Sequence, residues 1–245
     1  MSEFETFKRT KIFTQTFIMK RITFLIAFIA LTCFVVAQTT SKENTTDKNA
    51  WRPLFAADLS NALYPAGVWS VKNGELTATE DKAIWSDKQY ENFVLDVEFK
   101  TAPGTNSGVV VYCTDTANWI PNSVEIQIAD DYSKQWSESP ATWQCGAIFG
   151  RLAANKQQVV KKPGQWNHYI ITCQGQHISI ELNGQKVTDM DMSKWTSAKK
   201  NPDGSDIPSW LNRPLAGLQT KGYIGFQGKH AGAPIWFRNI KIKEL

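Results

Sequence analysis

The chain has 245 residues and a formal charge of only +4, and five of its 27 basic but just two of its 23 acidic residues fall within the first 37. Beyond that leader the charge falls to +1 with no basic stripe, which argues against a nucleic-acid partner. The three cysteines left there (Cys113, Cys145, Cys173) are an odd number without metal-ligand spacing, so neither a disulfide scaffold nor a zinc site is expected and any single bridge stays open.

Met19-Lys20-Arg21 begins a positively charged start, followed by an apolar run of 15 residues, Ile22 to Val36, and Ala37. This pattern predicts a signal peptide over 19–37, cleaved before Gln38, with 1–18 an upstream start artefact. The run is short of the roughly 20 residues that span a bilayer, so no transmembrane segment is expected in the mature chain. Cys33 is preceded by Ala30-Leu31-Thr32 and the apolar run continues past it, so a lipid anchor is not expected. The protein is expected in the periplasm or secreted. Residues 38–50 are polar and aperiodic and read as a flexible linker.

From Trp51 short strands dominate. Phe93, Leu95, Val97 and Phe99 alternate with Asp96, Glu98 and Lys100, which predicts one half-buried strand. Val124, Ile126 and Ile128 define a second apolar face, with Glu125 and Gln127 opposite, and Ile178, Ile180 and Leu182 a third. Asn73-Gly74 and Asn183-Gly184 are hairpin signals. No long amphipathic helix and no repeat is found. The pattern predicts an all-β, two-sheet antiparallel sandwich over 51–245 as a single domain. The turn-rich run 190–221, holding Trp195 and Trp210, is expected to be ordered and to cover one edge of a site. The last 24 residues read as two strands around a Gly/Ala/Pro turn, which would bring Gln227, Lys229, His230, Arg238 and Asn239 together.

Five segments, in order, carry a resemblance: Trp51-Arg-Pro-Leu-Phe55 with Asp58-Leu59; Asn106-Ser-Gly-Val109; Val124-Glu-Ile-Gln-Ile128 with Asp130; Pro163-Gly-Gln-Trp-Asn167 with Leu182-Asn-Gly184; and Ile224-Gly-Phe-Gln227 with His230 and Phe237-Arg-Asn-Ile240. Together they resemble the 3-keto-disaccharide hydrolase domain family, formerly a domain of unknown function. The resemblance implies a concanavalin-like jelly-roll sandwich that acts on glycosides whose sugar is already a ketone at C3. A separate sugar 3-oxidoreductase would act upstream, since no dinucleotide fingerprint is present. Many relatives carry an arginine in the strand after Asn-Ser-Gly. This chain has Val109-Val-Val-Tyr112-Cys113 there, so the role of that arginine has moved or the specificity differs.

A ketone at C3 acidifies the C2 proton, so a base at C2 can start elimination of the C1 substituent, with water adding afterwards. The chemistry needs a base, a donor or cation at the enolate oxygen, and an optional acid, but not the spaced carboxylate pair of ordinary glycosidases. Glu125 is the expected base, His230 an alternative base or the acid, and Arg238 or Lys229 the cation. Asn106, Gln127, Gln227, Tyr112 and Trp210 complete the expected substrate contacts. Each has a plainer structural reading. Glu125 would be a solvated strand carboxylate, Arg238 a terminal-strand salt bridge, and Asn106-Ser107-Gly108 a tight turn. No cofactor is expected. Asp130-Asp131 could hold a divalent cation, although adjacent acids usually form a solvated loop. Asp96-Val-Glu98 lacks the first acid of an endoglycanase signature and reads as an exposed face. The competing function is a non-catalytic carbohydrate-binding module, since loop tryptophans, Asn and Gln serve binding equally well. The discriminating feature is whether Glu125, His230 and Arg238 converge. A conventional glycosidase would need Glu125 and Asp130 as its pair.

Overall fold

The computed structural model describes residues 50–245, which lie in one compact unit. The expected signal peptide, its upstream extension and nearly all of the linker lie outside the described residues. In chain order the strands begin with β1 (Arg52–Pro53), β2 (Ala62–Leu63), β3 (Trp69–Lys72), β4 (Glu75–Ala78), β5 (Ile84–Tyr90) and β6 (Phe93–Thr101). They continue with β7 (Asn106–Cys113), β8 (Val124–Ala129), β9 (Trp166–Gln174), β10 (His177–Leu182), β11 (Gln185–Asp191), β12 (Gly222–Phe226) and β13 (Ile235–Glu244). Among the described residues the one α-helix, α1 (Lys134–Ser137), is a single turn. Among the described residues no helix is long and apolar enough to cross a membrane.

The strands form two antiparallel sheets, as the alternating patterns predict. The larger has the order β11-β10-β9-β6-β13-β4-β3, with β1 also on β13; the smaller has the order β2-β5-β12-β7-β8. Phe93, Leu95, Val97 and Phe99 of β6 are fully buried and face Val109, Ile126, Ile128 and Phe226 of the small sheet in one core. A nine-residue strand that buries every second side chain leaves Asp96, Glu98 and Lys100 on the outside. The hairpins at Asn73-Gly74 and Asn183-Gly184 have positive φ at both residues, the geometry for which Asn-Gly is selected. Cys113, Cys145 and Cys173 are free and buried.

The C-terminal pair departs from expectation. β12 and β13 do not form a hairpin: β12 lies between β5 and β7 in the small sheet, and β13 between β6 and β4 in the large one. The Gly228–Pro234 connection therefore passes from one sheet to the other. Polar residues close in sequence are divided between two surfaces.

Candidate active site

The outer face of the small sheet has a row of side chains that cross-strand register fixes. Leu63 lies opposite Trp85, Trp85 opposite Gly225, Gly225 opposite Val110, and Val110 opposite Glu125. One further strand segment extends the row. The Ile126–Ile148 bridge, with Phe149 N–H donating to Glu125 O at 3.0 Å, sets Phe149 beside Glu125 on the same face. Ile126 and Ile148 point into the core, which is why Glu125 and Phe149 point out.

Two glycines shape this face. A Cβ at Gly108 would stand 2.7 Å from Glu125 Cγ and closer still to Oε1, so the carboxyl lies directly over the Gly108 backbone. A Cβ at Gly225 would overlap the Trp85 ring, so the indole lies over the neighbouring strand. Trp119, from the β7–β8 loop, meets Trp85 edge-on at 6.1 Å. Together with Asp81, Lys82 and Gln227 these two tryptophans line a cleft of about 420 Å³.

A third glycine closes the rim. At Gly228 a Cβ would collide with the carbonyl oxygens of Glu80 and Lys82, so only glycine lets the β4–β5 loop pack against the chain leaving β12. Lys229 N–H donates to Glu80 O at 3.3 Å. This approach brings Asp81 to His230, with Oδ2 and Nδ1 2.6 Å apart and both side chains about half exposed. Gln227 is held beside Gly108 by its N–H donating to Gly108 O at 2.9 Å. Burial pushes the Glu125 carboxyl up to about 8, and the negative charge on Asp81 adds to the effect. No cation is among the groups acting on it. Glu125 lines not this cleft but a narrow cavity with Phe149, Arg151 and Leu211, and a carboxyl that changes state near neutrality, acted on by the charge of Asp81, can serve as base or acid.

Residues 39–243 match the family described as the 3-keto-alpha-glucoside-1,2-lyase-like domain. The chain belongs to this family. A crystal structure from Parabacteroides distasonis, described as a candidate glycosyl hydrolase, is 62% identical, with a TM-score of 0.79 and coverage of 80% of this chain and 100% of that one. A second structure from that organism with the same description is 22% identical, has a TM-score of 0.66, covers 80% of this chain and 94% of its own, and shares the fold. The 3-keto-disaccharide hydrolase of Bacteroides thetaiotaomicron is 24% identical over 176 residues, or 64% of this chain. The chain spans 60% of the length of that relative.

Set in this lyase-like domain, the residues singled out from the sequence divide. Gln227 lines the cleft, His230 pairs with Asp81 at its rim, and Glu125 lies over Gly108, whose carbonyl holds Gln227. Arg238 does not join them. It lies on the outer face of the large sheet, where its Nε donates to Glu98 at 2.7 Å and its guanidinium sits 4.0 Å above the Trp166 ring. Asn239 Nδ2 donates to the same carboxylate at 2.8 Å. The expected convergence of Glu125, His230 and Arg238 is thus corrected, because the chain changes sheets between His230 and Arg238. Tyr112 also leaves the site. Its positive φ, at a bulge in β7, turns the ring into the core, where its hydroxyl donates to Gly175 O at 2.7 Å. Gln127 is fully buried and its Nε2 donates to Asn106 Oδ1 at 2.9 Å; by register both lie on the outer face with Glu125, Asn106 is bridged to His230, and neither lines the cleft. Lys229 contributes its backbone to the rim, and the neighbouring Lys82 lines the cleft. Trp210 is exposed and stands beyond Phe149, edge-on to Trp143 at 6.2 Å.

Asp130 and Asp131 are committed to the backbone. Asp130 accepts from the Gly104 and Tyr132 N–H groups at 2.8 and 3.2 Å, and Asp131 from Cys145 N–H at 3.0 Å. Burial pushes the Asp131 carboxyl up to about 6 despite that hydrogen bond. Among the described residues no group of three or more His, Cys, Asp or Glu side chains is placed to hold a metal ion. The sequence reading missed Asp81, Trp85 and Phe149. Asp81 sits in a turn-like Glu80-Asp81-Lys82 run that gives no sign of its partner 149 residues later. Phe149 follows a short segment whose pairing with β8 is invisible without coordinates.

Proposed function

We propose that the chain is an exported enzyme that cleaves 3-keto-glycosides, 3-keto-disaccharides among them, by elimination across C1 and C2 followed by hydration. The observation that carries this reading is Glu125: a carboxyl laid over Gly108, the partner of the cleft residue Gln227, and raised to about 8 by burial and by Asp81. The family description and the name of the Bacteroides thetaiotaomicron relative point to the same chemistry.

Glu125, ionised, takes the proton from C2, and the C–H electron pair forms the enolate of the C3 ketone. His230 stands beside Asp81 at the rim, its Nδ1–H donating to that carboxylate, and as the imidazolium it carries a second proton on Nε2 to donate to the enolate oxygen. Collapse of the enolate restores the ketone, forms the C1–C2 double bond and expels the substituent at C1 with its bonding electrons. Addition of water, hydroxide to C1 and a proton to C2, completes net hydrolysis. Trp85 and Trp119 offer apolar ring faces to the sugar, and Gln227 a hydroxyl contact. A sugar 3-oxidoreductase acting first would supply the ketone.

The test is proton exchange at C2. A 3-keto-glycoside is incubated with the protein in heavy water, and deuterium incorporation and released sugar are followed by NMR. Exchange and release in wild type, both lost in Glu125→Gln, are expected. Saturable binding with neither exchange nor release would make the protein a carbohydrate-binding module and sink the proposal.

A further inference from the structure

On the far side of Glu125 from the Asp81–His230 rim, the outer face changes character. Phe149 lies next to Glu125 on the same face, Trp143 packs on Phe149 with ring centroids 5.4 Å apart, and Trp210 follows at 6.2 Å from Trp143. Trp210 leaves 49% of its surface open. The three rings step away from the catalytic carboxyl into solvent.

This staircase is built. Gly150 has a positive φ, and a Cβ there would press on Leu211 and Pro208, so glycine lets the loop that bears Trp210 come down onto the sheet edge. Arg151, almost fully buried, fastens that loop: its Nη2 donates to Leu211 O at 2.6 Å and Arg213 O at 2.8 Å. Its Nη1 is buried with no protein partner, and Arg151 borders a narrow cavity that Glu125, Phe149 and Leu211 also line. Burial lowers the guanidinium to about 10. A buried cation spent on two loop carbonyls is a costly fastener, and what it fixes in place is an exposed indole.

The two sides of Glu125 differ in what they offer a ligand. The cleft side has Asp81, Lys82 and Gln227, suited to sugar hydroxyls. The staircase side offers ring faces. Apart from Glu125, the polar side chains of the narrow cavity are spent or enclosed: Ser123 Oγ donates to Trp119 O at 2.7 Å, and Arg151 holds the loop. A second sugar ring would find few hydrogen-bond partners there, and a departing alkoxide would depend on the one proton that Glu125 has just taken from C2. An aryl group meets both conditions, because it stacks on rings and leaves as a stabilised aryloxide.

We propose that Phe149, Trp143 and Trp210 form a leaving-group subsite for aryl aglycones, with Arg151 as a positioning residue. The inference rests on the 3-keto-glycoside reading above. Phenyl and methyl 3-keto-glucosides are compared in wild type and Trp210→Ala. The phenyl-to-methyl ratio of kcat/KM should fall about three- to tenfold in the variant, with the methyl substrate unaffected. Because each ratio is compared with its own wild type, the intrinsic reactivity of the leaving group cancels. An unchanged ratio in both Trp210→Ala and Trp143→Ala would overturn the subsite. A separate arm needs no turnover: phenol is titrated into protein with ¹⁵N-labelled indoles, and the Nε1–H signals of Trp143 and Trp210 should move while that of Trp85 stays. If no 3-keto-glycoside is cleaved but those signals move, the catalytic reading fails and the aryl site stands. If the substrates are cleaved and the signals stay, the reverse holds.

Discussion

Glu98 and Glu125 are both outward-facing glutamates of antiparallel strands, one on each sheet, and their surroundings treat them in opposite ways. Burial would raise the Glu98 carboxyl, but hydrogen bonds from Asn239 and Arg238 and the charge on Arg238 outweigh it and hold it below the usual carboxylate range. The neighbours of Glu98 repeat the pattern: Asp96 pairs with His168 at 2.8 Å, and Lys100 pairs with Glu75 while lying over the rings of Trp166 and Trp236. On the small sheet Glu125 faces Asp81 instead of a cation and is raised to about 8. One face neutralises its charges within the protein. The other leaves a carboxyl uncompensated, the state that the proposed base requires.

The contrast is broken most severely by removing each carboxylate in turn. Glu125→Gln should lower the rate of C2 exchange and of sugar release by roughly 10²- to 10⁴-fold, the range for loss of a general base. Glu98→Gln should leave both rates within about twofold, since an exposed pair on the opposite sheet is worth little. Equal losses in the two variants, measured on protein with unchanged circular dichroism, would mean that the small sheet holds no privileged carboxylate.

Gly108→Ala probes the same carboxyl without touching it. The new methyl would occupy the space of the Glu125 side chain, and a displaced base loses on the order of 10²-fold in rate. The sheet should survive, because the alanine side chain points out of the core. Smaller still is the effect expected of Asp81→Asn. It removes a negative charge that raises Glu125, so the ascending limb of the pH–rate profile, centred near 8 in wild type, should move to lower pH. A limb that stayed in place while the rate fell would assign Asp81 to orienting His230 alone.

Much of the fold was legible because it follows from period-two alternation. Phe93 through Phe99 and Val124 through Ile128 name their own buried faces, and the two Asn-Gly turns place their hairpins. Glu125 was legible on the same logic, as the polar partner of Val124 and Ile126. What alternation cannot show is which sheet a strand joins. Gln227 and Arg238 are only eleven positions apart, yet the Gly228–Pro234 connection carries them to different sheets, and a local reading merges them into one cluster. Tyr112 was lost to a bulge, since one residue of positive φ moves a side chain to the opposite face. Asp81, Phe149 and Arg151 depend on contacts between segments far apart in the chain, and nothing in their local sequence marks them.

The smallest effect has the most specific shape. Glu125 is raised from an ordinary value of 4.5 to about 8, so the fold prefers its protonated form. Its contribution to stability is intact below about pH 4.5 and is lost as pH rises through 8. Glu98 is lowered, so its contribution is intact above the ordinary carboxylate range and is lost as pH falls through its folded value. The two glutamine variants should therefore diverge from wild type at opposite ends of the pH scale. Urea unfolding midpoints of wild type and Glu125→Gln should separate progressively from pH 5 to 9, with the variant gaining. Glu98→Gln should be less stable than wild type by about 0.2–1 kcal/mol near neutrality, with the gap closing as the solution is acidified. If Glu125→Gln tracked wild type across that range, its carboxyl would be as well solvated as any surface glutamate, and the distinction between the two sheets would vanish.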